Sequence, residues 1–340
     1  MLKILNKYKW LLLAIFSVVF IISVPSIVPN HYLRIVLGNG LVYVLAVYGL
    51  VVMLGMGGQV TFSTAGMMGI GAFLTGIFTV KLGLNSVLAL VCSVILTGLF
   101  SLFIGAALLK LRGNYFAFAS IAFTQVLYMI FRNWKPVTGG PDGISNIPAL
   151  DLGFIQLNQQ TVMEFIYFIF GLALICGLLL YRVRKTSLGR SLESVRDDEI
   201  AANSLGVDVY RTKIIAFIIA SMLAALAGSL FAFLNGYVSS ETFTFEQAGI
   251  YLIMAMLGGI NSTVGSFIGT ITLTILPEVL RDLKDYFRFI YGIVVIITMI
   301  FMPMGFAGLV KSLLTKLDHK FKKKKEIVTT GEVDTNGSDS

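Results

Sequence analysis

The sequence predicts an all-α fold: a polytopic integral membrane bundle of about ten transmembrane helices, with the N and C termini in the cytoplasm. Hydrophobic residues make up 56% of the 340 residues and charged residues only 13%, whereas an ordinary soluble domain has about 25% charged residues. The apolar residues also form charge-free runs that are long enough to cross a bilayer, which takes about 20 residues per helix. No stretch alternates over about ten residues, as the strands of a membrane β-barrel would.

The charge-free runs divide into ten predicted spans. The first lies within residues 10–30, where the poor cleavage site "SVPS" favours a retained span over a signal peptide. The run over 247–277 is long for one span and short for two, and a single span would place "KLDHKFKKKK" outside the cell. Two shorter helices that turn at "LGGINS" are therefore predicted. The other nine spans, including this pair, lie near 33–55, 61–81, 86–109, 114–132, 162–181, 212–235, 245–260, 264–280 and 288–309.

The basic residues set the predicted orientation. Of the 26 Lys and Arg residues, 19 fall on the side that holds both termini, as the positive-inside tendency expects. The loop 182–213 is then cytoplasmic and the loop 133–160 extracytoplasmic. Residues 1–317 form the permease domain, and the basic-then-polar tail 318–340 is predicted to be disordered. The net charge of +8 follows this topology, so membrane lipid rather than nucleic acid is the expected surrounding.

The charge-free runs lack the residues that would supply energy or chemistry. A carrier driven by protons or sodium usually keeps ionisable side chains at membrane depth, and the runs contain none. The sequence holds no Walker A motif and no nucleophile elbow. Its two cysteines and two histidines form no metal-ligand pattern. The chain is therefore predicted to be no enzyme and to bind no cofactor or metal, and any uphill transport takes its energy from a partner.

One charged segment interrupts the apolar sequence, "GRSLESVRDDEIAANSLGVDVYRTK" at 189–213. It is predicted to form a short amphipathic helix that Ser187 caps and Gly206 ends, with Asp208 capping the next span. Its apolar face comprises Leu188, Leu192, Val195, Ala202 and Leu205. The helix could lie on lipid headgroups, but the consecutive acids at 197–199 would then face anionic lipid. Docking to another protein is the favoured interpretation.

Small residues recur every four positions along the span after this segment. They are Ala216, Ala220, Ala224, Gly228, Ala232 and Gly236. Such a stripe lets another helix approach closely. It predicts tight helix packing, and sliding of helices during a conformational cycle is the alternative that the sequence leaves open.

The stretch "ESVRDDEIAANSLGV" resembles the EAA loop of ABC importer permeases, whose coupling helix inserts into a cleft of the ATP-binding subunit. Glu199, Ala201, Ala202 and Gly206 match the glutamate, the alanine pair and the later glycine of that motif, with Ile200 as one extra residue. Further stretches resemble the branched-chain amino acid permeases, specifically their second permease subunit, over about residues 35–310. They are "GGQVTFSTAGMMGIGAF" (57–73), "LRGNYFAFASIAFTQVL" (111–127), "WKPVTGGPDGIS" (134–145), "AMLGGINSTVGSFIGT" and "RFIYGIVVIITMIFMPMGFAGL".

The resemblance implies a heteromeric importer in a prokaryotic cell membrane, built from this chain, a second homologous permease, two ABC ATP-binding subunits and an extracytoplasmic substrate-binding protein. ATP and Mg would bind to the partner subunits. The expected cargo is leucine, isoleucine or valine. Urea or a short-chain amide is the alternative within the family, and an ion-coupled secondary carrier is a weaker one.

The resemblance also directs the choice of candidate site residues. Coupling to the ATP-binding subunit is assigned to Arg196, Glu199, Ala201, Ala202 and Gly206, with polar contacts from the first two. The pathway candidates are Gln59, Ser63 and Gln125, which could instead bond helix to helix. The turn-rich loop of Gly139, Gly140, Pro141, Asp142 and Gly143 is either a plain reversal or a contact for the binding protein.

Overall fold

The computed structural model describes residues 30–279 except 112 and 154, together with Gly292 and Ile296. Within these residues the chain is a bundle of helices with four two-residue strands. The long helices are α1 (His31–Leu50), α2 (Ser63–Gly76), α3 (Ser86–Leu108), α4 (Asn114–Asn133), α6 (Val162–Lys185) and α9 (Val209–Asn235). The shorter helices are α5 (Lys135–Thr138), α7 (Ser187–Asp197), α8 (Glu199–Ser204), α10 (Phe245–Gly258) and α11 (Thr263–Val279).

The remaining elements extend or connect these helices. Two π-helical turns, Val51–Met56 and Ile77–Lys81, prolong α1 and α2. The strands pair antiparallel as β1 (Ile144–Ser145) with β4 (Tyr237–Val238) and β2 (Leu150–Asp151) with β3 (Gln156–Leu157). Single 3-10 turns lie at Gly140–Asp142 and Ser240–Phe243.

Helices lie at each predicted span between residues 33 and 279, and six of them are long and apolar enough to cross a membrane. The all-α prediction is confirmed. The run over 247–277 lies in two helices, α10 and α11, with a turn at residues 259–262 as predicted. The first predicted span (10–30), the last (288–309) and the tail (318–340) lie outside the described residues, so the total number of spans stays a prediction.

Helix α9 lies at the centre of the bundle, packed against α1, α2 and α3. Its small residues allow backbone contact: a Cβ added at Gly228 would lie 1.9 Å from the carbonyl oxygen of Met68 in α2. The same close approach occurs at Gly49 of α1, where an added Cβ would lie 2.7 Å from the carbonyl oxygen of Ala220. The prediction of tight packing is confirmed for these positions. Gly236 instead ends α9 in the left-handed region, at φ +66°.

Helix α3 turns its small polar face inward and its large apolar face outward. Ser93, Thr97 and Ser101 are fully buried, and each hydroxyl donates to a backbone carbonyl of its own helix. The outward face carries Leu88, Val91, Ile95, Leu96, Leu99, Phe100, Leu102 and Phe103. This is the arrangement expected of a lipid-facing helix, because lipid offers no reason to bury large apolar groups and close packing favours small ones.

Connections gather at the two ends of the bundle. At one end, Lys81 Nζ donates to the carbonyl oxygens of Pro136 and Val137 at 2.6 and 2.7 Å, and β1 pairs with β4. At the other end lie the turn after α1, the helices α7 and α8, and the turn between α10 and α11. The charge pattern predicts that this second end is cytoplasmic.

Gly228→Leu should lower the apparent Tm of the detergent-solubilised protein by about 5 °C or more, because overpacking costs about 1–3 kcal/mol and this side chain meets backbone rather than a flexible group. The matched control is Gly171→Leu in α6, where an added Cβ meets nothing within 4 Å. Equal melting shifts for the two variants would show that α9 is not packed against α2 at this position.

Candidate functional site

The charged segment forms two helices rather than one. Helix α7 ends at Asp197, Asp198 is extended (φ −159°, ψ 112°), and α8 starts at Glu199. The Asp198 carboxylate accepts hydrogen bonds from the backbone N–H groups of Ile200 and Ala201 at 2.8 and 3.0 Å. The prediction of a single helix is wrong because this acid caps a new helix. The predicted cap Ser187 is also wrong, since Thr186 holds that position.

The break changes which side chains face the bundle. Leu192 and Val195 of α7 and Ala202 of α8 are buried, as predicted. Leu205 was predicted on the same face but is 83% exposed, because restarting the helix at Asp198 resets its rotation. Ile200 is also exposed, at 76%.

The end of the segment follows the sequence prediction. Gly206 follows α8 with φ +85°, the left-handed conformation that ends a helix. The Asp208 carboxylate then accepts from the backbone N–H of Arg211 and caps α9. Both predictions are confirmed.

Arg196 ties α7 to two other parts of the bundle. Its Nη1 donates to the carbonyl oxygen of Gly55 at 2.9 Å and to Oδ1 of Asn261 at 3.1 Å. Asn261 lies in the turn between α10 and α11. Arg184 at the end of α6 donates to the Asn261 carbonyl and pairs with Glu193 of α7 at 2.7 Å. The segment is therefore held against α1, α6 and the α10–α11 turn.

Glu199 ties α8 to the bundle in a second way. Its carboxylate pairs with Lys213 of α9, which is only 3% exposed. The same carboxylate oxygen accepts a hydrogen bond from Nε2 of Gln59 at 3.2 Å. Sequence reasoning did not single out Lys213. The signal for it was a lysine within the first turns of an apolar span, four residues after Val209, where a charge needs a partner.

The outward surface of α8 and the following turn carries apolar residues together with two short polar ones. Its exposed residues are Ile200, Ala201, Asn203, Ser204, Leu205 and Gly206. Of the predicted coupling residues, Ala201 and Gly206 lie on this surface, whereas Ala202 is buried. Arg196 and Glu199 form hydrogen bonds within the chain, and their contact with an ATP-binding subunit stays a prediction. We call Ile200, Ala201 and Leu205 the apolar knob.

The turn from Gly57 to Phe62 connects this site to the bundle interior. Gly58 has φ +67°, and a Cβ added there would lie 2.6 Å from Cγ of Arg196, so α7 packs directly on the turn. At the other end of the turn, the Phe62 N–H donates to Oγ of Ser120 at 3.0 Å, and the Phe62 carbonyl accepts from Oγ1 of Thr124 at 2.9 Å. The turn is thus fixed to α4 on one side and to the charged segment on the other.

A small cavity lies just inside this turn. It is lined by Met53, Thr61, Ser63, Thr64, Met67, Phe217, Ala220, Ser221 and Ala224. The accessible space is about 10 Å³, which is the room that about one water molecule needs. A leucine side chain does not fit, so any route through this point is closed in this structure.

The three predicted pathway residues do not come together. Ser63 lines the cavity and hydrogen-bonds to Thr61 at 2.9 Å. Gln59 points to Glu199 instead. Gln125 lies on the exposed face of α4, beside Thr124. Among the three, Ser63 alone stands on the cavity wall, and the pathway assignment stays a prediction.

The loop "TGGPDG" lies at the opposite end of the bundle. Gly139, Gly140 and Gly143 all have positive φ, between +67° and +78°, and an added Cβ at Gly143 would lie 2.1 Å from the carbonyl oxygen of Val238. These glycines are therefore required by the backbone. Pro141 and Asp142 are the exposed members, so a contact with a binding protein, still a prediction, would fall on these two.

The fold and this site together define a class of protein: a polytopic helical membrane protein with a charged segment bonded to one end of its bundle. The family model described as branched-chain amino acid transport system / permease component matches residues 32–302. The chain belongs to this family, and it is a multi-pass protein of the cell membrane.

Curated relatives agree with the family. The chain is 30% identical over 286 residues to the high-affinity branched-chain amino acid transport system permease protein LivM of Escherichia coli strain K12, covering 78% of this chain and 67% of that protein. The LivM protein of Salmonella typhimurium is 29% identical over the same shares. The autoinducer 2 import system permease protein LsrC of Escherichia coli strain K12 / DH10B is 25% identical over 85% of each chain. No solved structure matches this chain.

Gly58→Ala should loosen α7 from the turn and speed trypsin cleavage after Arg190 and Arg196 by about fivefold or more, because the added methyl displaces Arg196 at a cost of about 1–3 kcal/mol. Gly83→Ala is the matched control, since Gly83 has a similar φ of +63° but nothing within 4 Å of an added Cβ. If both variants are cleaved at the same rate, the contact between the turn and α7 does not hold the segment.

Proposed function

We propose that this chain is the permease subunit of an ATP-driven ABC importer that carries leucine, isoleucine and valine across the membrane. The energy would come from separate ATP-binding subunits docked on the cytoplasmic loop 182–213, which contains the charged segment. The observation that carries the proposal is the apolar knob, which is exposed at α8 while Glu199 of the same helix and Arg196 of α7 bond to the rest of the bundle. Membership of the family and the likeness to LivM support the cargo.

The apolar knob has the properties of a protein contact. Ile200 and Leu205 are both more than three-quarters exposed, and burying such a side chain contributes about 1.5–3 kcal/mol. The acids Asp197 and Asp198 lie beside them and are exposed, which disfavours an anionic lipid surface. A cleft with an apolar floor and basic rim on a partner protein suits this surface.

The proposed mechanism is a movement of helices that is driven by the ATP-binding subunits. Closure of two ATP-binding subunits would pull α7 and α8 of each docked permease with it. Helix α6, which ends at Lys185, and helix α9, which begins at Val209, would then pivot. Because a ligand shifts an equilibrium only by its preference between two states, the nucleotide must change the contacts that the motor makes with the knob. The closed cavity around Ser63 is the place where such a movement would open a route.

The chemistry of the cavity is consistent with the cargo. Met53, Met67 and Phe217 supply apolar surface, and Thr61 and Ser63 supply hydroxyl groups. An amino acid with an apolar side chain would place that side chain on the apolar surface and could hydrogen-bond through its ammonium and carboxylate groups to the hydroxyl groups. Urea or a short-chain amide, and a cargo like that of the LsrC relative, are the alternatives. A second homologous permease and an extracytoplasmic binding protein that contacts Pro141 and Asp142 complete the proposed assembly.

The complete importer, purified from its native membrane and placed in proteoliposomes with ATP inside, should take up radiolabelled leucine. Excess isoleucine or valine should compete, whereas excess urea, acetamide or autoinducer 2 should not. The control omits ATP and keeps the ion gradients, and uptake should then stop. Uptake without ATP would favour a secondary carrier, and competition by urea or autoinducer 2 alone would reassign the cargo.

Leu205→Glu should reduce copurification of the ATP-binding subunits and lower ATP-driven uptake by about tenfold or more, since the interface would lose at least about 1.5 kcal/mol of apolar burial. Leu82→Glu is the matched control: Leu82 is 61% exposed and lies at the opposite end of the bundle. Normal copurification of the Leu205→Glu complex would remove the apolar knob from the proposed interface.

A further inference from the structure

Three residues from three separate parts of the chain meet at one point. Lys213 comes from the first turns of α9, Glu199 from the start of α8, and Gln59 from the turn between α1 and α2. We call this group the polar node. The Glu199 carboxylate is the shared partner: one of its oxygens accepts from both the Lys213 ammonium and the Gln59 amide.

Breaking the ion pair in the polar node would destabilise the bundle. Lys213 is 3% exposed, and a buried ammonium without a partner charge is strongly destabilising. Within the part of the chain that the structure describes, Glu199 is the acid that pairs with Lys213. Helix α8 carries Glu199 and, together with Leu205 just after it, presents the apolar knob. A displacement of α8 would therefore act directly on the buried ammonium of Lys213 in the first turns of α9.

Gln59 extends the connection towards the cavity. Two residues after it, Thr61 lines the cavity and its hydroxyl bonds to Ser63, whose own N–H donates back to Thr61. The backbone at Phe62 is fixed to α4 by Ser120 and Thr124. A displacement of Gln59 is therefore passed to the cavity wall through a short run of residues that is anchored at its far end.

We infer that the polar node transmits movement of α8 to the cavity wall, with Glu199 and Lys213 as positioning residues that act through Gln59. This inference rests on the proposed function and adds a route to it. It differs from the sequence-based assignment of Glu199, which gave that carboxylate a direct contact with the motor. In the proposed route the apolar knob contacts the ATP-binding subunit, whereas Glu199 bonds inward to Lys213 and Gln59.

The test is a double-mutant cycle in the complete importer in proteoliposomes. Glu199→Gln, Lys213→Met and the double variant should each lower ATP-driven leucine uptake by about tenfold while ATP hydrolysis stays within about twofold of the unchanged complex. The double variant should be no worse than either single variant, because both remove the same connection. Lys213→Arg keeps the charge and should restore most of the uptake. Lys110→Met is the control, since Lys110 is exposed.

A second readout does not depend on the cargo. In the assembled complex, Glu199→Gln and Lys213→Met should raise hydrogen–deuterium exchange of the amides in 57–62 as well as in α8, and Lys110→Met should change neither. If Lys213→Met fails to fold, Gln59→Leu, which removes only the amide, should raise exchange in 57–62 and lower uptake severalfold.

Three results would overturn the inference. They are additive losses in the double variant, loss of ATP-binding subunits from the Glu199→Gln complex with normal retention in Lys213→Met, and unchanged exchange in 57–62. A complex without substitutions that hydrolyses ATP but does not take up leucine would overturn the proposed cargo instead, and the exchange measurement would still decide on the node.

Discussion

The hydrocarbon of a bilayer offers no hydrogen-bond partners, and this constraint governs the whole molecule. Every backbone group within it must be satisfied by the chain itself, which selects helices, and every polar side chain must find a partner inside the bundle. The hydroxyl groups of α3 bond to their own backbone. Thr75 joins Ser93 of α3 to Ser229 of α9. The buried ammonium of Lys213 obeys the same rule, and its partner comes from outside the spans.

The pairing of Lys213 with Glu199 stabilises the bundle and also attaches α8 to it. Because Lys213 takes its carboxylate from α8, the segment that presents the apolar knob is attached to the centre of the bundle rather than hanging from flexible connections. Arg196 adds a second attachment, to Gly55 and Asn261, so the segment touches α1, α9 and the α10–α11 turn together. A segment fixed at several points can transfer a pull, whereas a flexible one would absorb it. Helix α9 in turn lies in close backbone contact with α2 at Gly228.

Much of the fold was predictable from the sequence because it depends on local composition. Span positions follow from charge-free runs, and the small stripe of α9 predicts its packing. The charged segment was predicted less well. Asp198 could belong to a continuing helix or cap a new one, and only the surrounding packing decides between these; the exposure of Leu205 followed from that break. The sequence position of Gln59 fits a pathway contact and a helix-to-helix bond equally well, and its bond to Glu199 joins residues 140 positions apart. Such long-range pairs leave no signal in periodicity.

In the proposed mechanism, the charged segment and the turn 57–62 move together when the ATP-binding subunits close. The decisive measurement is electron cryo-microscopy of the assembled importer, without nucleotide and with a non-hydrolysable ATP analogue. If the two parts move together, the bonds from Gln59 to Glu199 and from Arg196 to the Gly55 carbonyl persist in both states, while the cavity at Ser63 changes in size. Separation of the segment from the turn between the two states, with the cavity unchanged, would refute the mechanism.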